Sequence, residues 1–470
     1  MMWDFSRYAQ RSALICNQQT ISYGALAEEA ERISAPLPPR TLVFFLAVNT
    51  MAAIAGYVGF LNGGIVPAML DAGLDEALLL ELMRRYRPSY IFLPEARAVA
   101  FSQYRTVLHA DGYVLLDAAE RFPYPLHEDL ALLMTTSGST GSPKFVRQSY
   151  ENLRENTKSI AAYLKLSAAD RAITNLPLHY VYGLSVLHTH FAVGGSVVVT
   201  EKTLFQREFW ELMRVQEVTN LAGVPYTYAM LKRLRFFQMD LPALHTLTQA
   251  GGKLDPELHA AFADFAKEQN KQFVVMYGAA EATARMGYLP PQYAAQKVGA
   301  MGIAIPGGRF ELIDAHGSTI TQADIVGELV YYGANVTLGY AVCGEDLALG
   351  DQRGGRYETG DMAQRDVDGF YTIVGRKRRF LKVFGKRVNL QEVEHILRQQ
   401  FGEREFACAG VDDHLYIFTV QEDVLSEVIP FLSRKLGIHA AAFTVRHIET
   451  IPKSAAGKPL YRALEKYYDL

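Results

Sequence analysis

The sequence predicts an α/β protein built as a large N-terminal domain and a small C-terminal one. Three observations lead there. Short apolar runs alternate with helical patterns through the first half of the chain, the pattern changes to glycine-punctuated pieces after Gly299, and the basic run Arg376-Lys377-Arg378-Arg379 opens a segment with strands and helices of its own. At 470 residues the chain exceeds one ordinary core, so two or three domains are expected.

The apolar runs are Val43 to Val48, Tyr90 to Leu93, Tyr113 to Leu116, Leu130 to Met134, Val197 to Val199 and Phe273 to Met276. Strands alternating with helices imply parallel sheets with helices on their faces. One intervening helix carries its own signals: Asp255 as cap, Pro256 at the first position, and Leu258, Ala261, Phe262 and Phe265 as an apolar stripe. The apolar stretch from Val43 to Leu70 is interrupted by Asn49, Thr50, Asn62, Gly63-Gly64 and Pro67. Its clean run, Met51 to Leu61, is far shorter than the roughly 20 residues a bilayer needs, so it reads as a buried helix beside a strand. Between Gly299 and Tyr340, shorter strand-like pieces separated by Gly302, Pro306, Gly307, Gly327, Gly333 and Gly339 suggest an antiparallel or barrel-like subdomain. Residues 1–375 would thus hold two parallel-type α/β subdomains and this smaller one.

Residues 376–470 form the second expected domain. After Phe380 to Val383 and Gly385, a helix is expected with Asn389 as cap and Val393, Ile396 and Leu397 on its buried face. Strands follow at Phe406 to Val411 and Leu415 to Val420, then a helix from Val424 to Leu436 and a strand from Ala442 to His447. This tail carries a charge of roughly +4 against roughly −7 elsewhere, giving the net −3. Polyanionic ligands would be drawn to the smaller lobe, although a solvated basic face would look the same.

The small net charge argues against a general nucleic-acid binder. Cys16, Cys343 and Cys408 are odd in number and far apart, which suggests neither a disulfide framework nor a thiolate metal site and fits a reducing compartment. Met1-Met2-Trp3-Asp4-Phe5 lacks a basic region leading into an apolar stretch, so no secretory signal is read and a cytoplasmic location is expected.

The most informative stretch is Thr136-Ser137-Gly138-Ser139-Thr140-Gly141-Ser142-Pro143-Lys144, delivered by the run Leu130 to Met134. Glycines let backbone N–H groups approach a phosphate, hydroxyls add donors and Lys144 adds a point charge. It is not a Walker loop, because Ser142 and Pro143 separate Gly141 from Lys144. Alone it reads equally as a surface turn. Further segments join it: Val224-Pro225, Gly251-Gly252, Tyr277-Gly278-Ala279-Ala280-Glu281, Gly299-Ala300-Met301-Gly302, Gly327-Glu328-Leu329, Gly339-Tyr340, Tyr357-Glu358-Thr359-Gly360-Asp361, Gly375-Arg376 and Ile451 to Lys458.

In this order the set resembles the adenylate-forming superfamily of acyl- and aryl-CoA synthetases, peptide-synthetase adenylation domains and luciferases, from the first strands to the C-terminus. The resemblance implies a large domain, a small mobile lid and two half-reactions in one cleft. A carboxylate attacks the α-phosphorus of ATP to give an acyl-adenylate and pyrophosphate, and a thiol then displaces AMP. On that resemblance the loop from Thr136 to Lys144 holds the β- and γ-phosphates, Glu281 is the Mg2+ ligand, Asp361 accepts the ribose hydroxyls with Arg376 as ribose or phosphate partner, and Tyr277 stacks on adenine with Gly278 beside it and Gly251 and Gly252 along the ring's edge. Lys458 bridges the attacking carboxylate and the α-phosphate, Arg378 is the hinge in place of the usual Asp or Lys, Lys382 serves the thioester-forming pose, and Gly385 lets a pantetheine arm pass.

The strand-to-helix turn from Asn175 to Leu184 contains no carboxylate, so an α-amino acid is disfavoured, since its ammonium would be left without a partner. Tyr180, Tyr182, Tyr226, Ala279, Ala280, Arg285 and Met286 are the pocket candidates. Ala280 stands where threonine is common, so Thr283 or a water is expected to replace the missing hydroxyl. Arg285 is open between pairing with an extra acidic or carbonyl group of the substrate and lying at the rim. The acceptor is left open between CoA and the phosphopantetheine of a separate carrier protein, and the oligomer between monomer and homodimer. A non-catalytic nucleotide-binding protein would be expected to lose Glu281, Asp361 or Lys458, all of which are present. A phosphotransferase would not explain the terminal lysine element.

Overall fold

A computed structural model describes residues 2–16, 19–118, 124–135, 144–314, 316–376, 380–402, 404–452, 459 and 461–468. The chain divides into two compact units, the second beginning its continuous span at Arg376.

In the first unit two large sheets carry the architecture. A nine-stranded sheet has a parallel centre formed by Ser12–Cys16, Ser196–Val198, Arg171–Ile173, Asn220–Gly223, Thr246–Gln249 and Gln272–Tyr277 in spatial order. An eight-stranded sheet has Leu42–Ala47, Val66–Asp71, Tyr90–Pro94 and Leu130–Thr135 as its parallel part. Leu42–Ala47 is buried at every position, as a strand covered on both faces must be. The run at Tyr113 departs from the parallel pattern. Tyr113–Asp117 lies antiparallel to Tyr90–Pro94 because Arg105–Ala110 turns back on it at Asp111-Gly112, both at positive φ, the conformation a two-residue hairpin requires. On the other edge Phe145–Ser149 pairs antiparallel with Leu130–Thr135 and with Gly339–Ala341.

The expected helix is Met51–Asn62, buried from Ala52 to Leu61, with the Thr50 side chain accepting the Ala53 N–H at 3.3 Å. It packs against the helix Tyr23–Ser34 so closely that a Cβ at Gly59 would stand 2.1 Å from the Ala30 carbonyl oxygen. The helix Pro256–Glu268 is capped by Asp255 through the N–H groups of Glu257 and Leu258. Its buried face is rotated from the predicted stripe: His259, Phe262, Ala263 and Ala266 are buried, whereas Leu258 and Phe265 are partly so. His259 causes the difference, since its ring meets the Ala294 carbonyl at 3.0 Å and the Gly299 N–H at 3.2 Å, which satisfies an imidazole inside the core.

The glycine-punctuated stretch forms a four-stranded sheet, Arg309–Ile313, Gly327–Tyr332, Arg356–Arg365 and Tyr371–Arg376, with antiparallel pairing of the first three; half of it lies beyond Tyr340. Among the described residues the pairing is that of the antiparallel alternative. The second unit contains the hairpin Phe380–Val383/Lys386–Asn389, the helices Leu390–Phe401 and Leu425–Leu436, and a three-stranded sheet of Phe406–Val411, His414–Thr419 and Phe443–His447. Val393, Ile396 and Leu397 are buried in its core. Among the described residues no helix is long and apolar enough to cross a membrane.

Between the two large sheets, Tyr57 on Met51–Asn62 meets His188 on the helix Val181–Val193, with hydroxyl and Nε2 2.7 Å apart. His188 is 3% exposed, and burial lowers its pKa to about 3. The folded state therefore binds fewer protons here than the unfolded state between pH 3 and the unperturbed 6.5, so this stability is fully present above pH 6.5 and is lost as pH falls. Urea unfolding at pH 7 and pH 5 should show a larger acid-side fall in midpoint for wild type than for His188→Gln. Parallel falls in the two proteins would show that His188 is not held neutral.

Candidate active site

The strand Gln272–Tyr277 ends at Gly278, where a Cβ would stand 1.8 Å from the Ala284 carbonyl oxygen, so only glycine fits. The chain then makes the short 3-10 turn Ala280–Ala282 and a γ-turn centred on Thr283, with φ 66° and ψ −68° and the Ala284 N–H donating to Ala282 O at 2.8 Å. A β-branched residue in this conformation stores strain of about 1–3 kcal/mol. Neighbours hold it in place. The Thr283 hydroxyl donates to Asn335 O at 2.7 Å, Asn335 Nδ2 donates to Ala282 O and Arg285 O at 2.9 Å each, and Gln148 Nε2 donates to Ala280 O and Thr283 O at 3.3 Å. The Thr283 hydroxyl donor is thus engaged inside the turn.

This turn presents Glu281, which is 5% exposed. Its Oε1 accepts the Tyr340 hydroxyl at 2.6 Å. Its carbonyl oxygen accepts the Thr337 N–H at 3.1 Å, the Thr337 hydroxyl at 2.9 Å and Arg353 Nη1 at 2.9 Å. Two cations lie over the Tyr340 ring: Lys144 Nζ is 4.1 Å and the Arg353 guanidinium carbon 4.8 Å from its centroid. Burial, then the Glu281 charge, push the Tyr340 phenol well above its ordinary pKa, so it stays a donor. Glu281 offers a hard oxygen donor at a strand end, which fits Mg2+ held by one carboxylate together with phosphate and water.

A second carboxylate sits beside the same strand end. Asp361, 6% exposed, lies in Arg356–Arg365 after Gly360 at φ +69°, and its Oδ2 accepts the Tyr277 hydroxyl at 2.5 Å. Its backbone N–H donates to the Thr359 hydroxyl oxygen at 3.0 Å, while that hydroxyl donates to Leu329 O at 2.7 Å. Burial, then Asp361, raise the Tyr277 pKa well above its ordinary value. Tyr277, expected as an adenine platform, is therefore also the anchor of Asp361.

The tyrosine candidates gather around Arg285. Tyr182 is buried, with its hydroxyl on Thr248 O at 2.9 Å, and the Arg285 guanidinium carbon lies 3.8 Å over its ring. Tyr180 packs edge-on at 6.3 Å, and burial, eased in part by Arg285, pushes its phenol up to about 12. Gly251, at φ +86°, is where a Cβ would stand 2.7 Å from the Tyr180 hydroxyl. Gly252 accepts Gln249 Nε2 at 2.9 Å. Ala279 is half-buried and Ala280 is 9% exposed. Tyr226, on the first turn of the helix Pro225–Arg233, is 40% exposed. Met286 is fully buried in a different cluster, with Ala282, Met301, Ile305 and Phe310.

In the second unit Lys382 lies in Phe380–Val383, its N–H donating to Asp412 Oδ1 at 2.8 Å. Gly385, with Phe384 before it, makes the two-residue turn of the hairpin at φ 49° and 81°. Thr136, Ser137, Gly138, Ser139, Thr140, Gly141, Arg378 and Lys458 lie outside the described residues, and of Arg376 only the backbone, at the end of Tyr371–Arg376, is described. Tyr340 entered the sequence reading as part of Gly339-Tyr340 and not as a site residue; Thr337, Arg353, Asn335 and Gln148 gave no signal. Their roles come from contacts across the fold, 59 residues apart for Tyr340 and Glu281.

A hydrogen bond to a buried charge is worth about 1.5–3 kcal/mol. A double-mutant cycle of Tyr340→Phe and Glu281→Gln, read by urea unfolding at pH 7, should return a coupling of that order. Additive losses would mean the contact is not made.

The oxalate–CoA ligase of Saccharomyces cerevisiae is 28% identical over 365 residues, covering 74% of this chain and 65% of the relative. A feruloyl-CoA synthase of Amycolatopsis is 27% identical over 359 residues, covering 73% and 72%. Among solved structures, an o-succinylbenzoate CoA synthetase from Bacillus subtilis aligns with TM-score 0.79 at 19% identity, covering 98% of this chain and 96% of that one, a likeness of fold. A family model for AMP-binding enzymes matches residues 2–341. With that model matching most of its length, the chain belongs to the AMP-binding enzyme family.

Proposed function

We propose that this chain is an acid–thiol ligase: it activates a carboxylic acid with ATP to an acyl-adenylate, releasing pyrophosphate, and passes the acyl group to the thiol of CoA, releasing AMP. One observation carries the reading. Tyr277 ends a parallel strand and holds Asp361, and Glu281 follows on the turn after it, so two carboxylates with distinct tasks stand at the carboxyl end of a strand in an open α/β sheet, where nucleotides bind.

Asp361, steadied by Tyr277, takes the ribose hydroxyls, and Gly251, lacking a side chain, leaves room along the adenine edge. Bound Mg2+ supplies charge stabilisation to the phosphates. Glu281 would hold that ion through its carboxylate, whose Oε1 accepts the Tyr340 hydroxyl. Thr136 to Lys144 grips the terminal phosphates, with Arg376 on ribose or phosphate. Lys458 bridges the acid and the α-phosphate, where negative charge accumulates. Residues 376–470 act as a lid hinged at Arg378, and Lys382 and Gly385 serve the thiol step. A carrier protein's phosphopantetheine presents the same thiol arm and is the second acceptor to test. Three free cysteines fit a reducing, cytoplasmic setting.

ATP–pyrophosphate exchange across an acid panel, followed by intact-mass detection of thioesters, tests the reading; exchange with no acid would end it. Lys458→Ala should lower exchange about 100-fold or more, while thiolysis of supplied acyl-adenylate largely survives. Equal loss of both would remove the role given to Lys458. Lys382→Ala and Gly385→Val should reduce thioester yield more than exchange, and an unchanged yield in both would reject their assignment.

A further inference from the structure

Arg285 follows the turn that presents Glu281 and is 3% exposed. Among the described residues no carboxylate pairs with it. Its Nη1 donates to Ala284 O at 3.1 Å, and its buried Nε has no hydrogen-bond partner. The Tyr182 face, 3.8 Å from the guanidinium carbon, offsets part of the cost of this buried charge. The positive charge eases the ionisation of Tyr163, Tyr180 and Tyr182 against their burial, which places it within reach of all three. Tyr163 in turn stacks on Tyr288 at 4.2 Å and 15°.

The Tyr180 hydroxyl borders the space beside Gly251, where the nucleotide is expected, and Tyr180 packs edge-on against Tyr182, whose ring face carries the Arg285 guanidinium. Four tyrosine rings suit a flat, apolar body. A cation short of an anion, set among them, suits a carboxylate-like group, which a guanidinium fork can bind with two parallel hydrogen bonds.

Building on the acid–thiol ligase reading, we propose that Arg285 selects an aromatic carboxylic acid bearing a second anionic group on its ring. The reacting carboxylate lies toward Glu281 and the second group toward Arg285. The tyrosines orient the ring between them.

The test is pyrophosphate exchange with benzoate, 3-carboxybenzoate and 4-carboxybenzoate. Wild type should favour one dicarboxylate over benzoate by about tenfold or more in kcat/KM, the scale on which a site built for a polar group rejects an analogue lacking it. Arg285→Gln should collapse that ratio through a raised KM for the dicarboxylate, and Arg285→Lys should retain part of it. A wild-type preference for benzoate, a ratio that survives Arg285→Gln, or an equal loss for all three acids would each overturn the proposal. Exchange with other acids but neither dicarboxylate would overturn it while sparing the ligase reading; exchange with no acid would remove both. Should Arg285→Gln fold poorly, the wild-type ratio and Arg285→Lys decide the matter.

Discussion

Arg147 is the constraint on which the arrangement rests. It is fully buried, and its guanidinium is surrounded by neutral acceptors: Tyr340 O at 3.1 Å, Leu338 O at 3.0 Å, Gly350 O at 3.2 Å, the Gln352 amide oxygen at 2.7 Å and Leu349 O. A planar fork with five donors can serve that many carbonyls; a lysine ammonium could not. The result is that Gly339–Ala341 is locked to Phe145–Ser149 in a fixed register. Tyr340 then reaches Glu281 with one end and offers its ring face to Lys144, the residue at which the hydroxyl-rich loop meets this strand. Gln148 follows on the opposite face of the strand and holds the γ-turn, so adjacent residues support the site from two directions.

Strain and support are balanced within this small region. Thr283 occupies a backbone conformation that it would leave if free, and the amides of Gln148 and Asn335 keep it there. The same bonds fix the position of Glu281 before any ligand arrives. Electrostatic catalysis depends on that preparation, because a carboxylate that had to reorient during reaction would give up part of its effect.

The parts of the fold set by local pattern were legible in the sequence. Met51–Asn62 announced itself by the clean apolar run from Met51 to Leu61, and Pro256–Glu268 by Asp255 and Pro256. The rotation of the latter's buried face was not legible, because periodicity treats histidine as polar while His259 is satisfied inside the core. The direction of Tyr113–Asp117 was encoded in Asp111-Gly112, a hairpin signal that the alternating pattern around it obscured. In the candidate site, motif order singles out glycine and carboxylate positions, whereas the hydroxyls that hydrogen-bond to the carboxylates carry no such signal. Tyr277 and Asp361 are 84 residues apart in the chain, and nothing local to either specifies that they meet.

The contact between Tyr57 and His188 joins two helices that serve different sheets, with Trp3 packed against both rings at 6.1 and 5.5 Å. The N-terminal tail is thereby sewn into the seam. Separating the halves would break the bond between this imidazole and phenol, hydrate both, and strip the indole of its packing. The larger unit is in this sense a single cooperative block despite its two sheets, and its first few residues are part of what closes it.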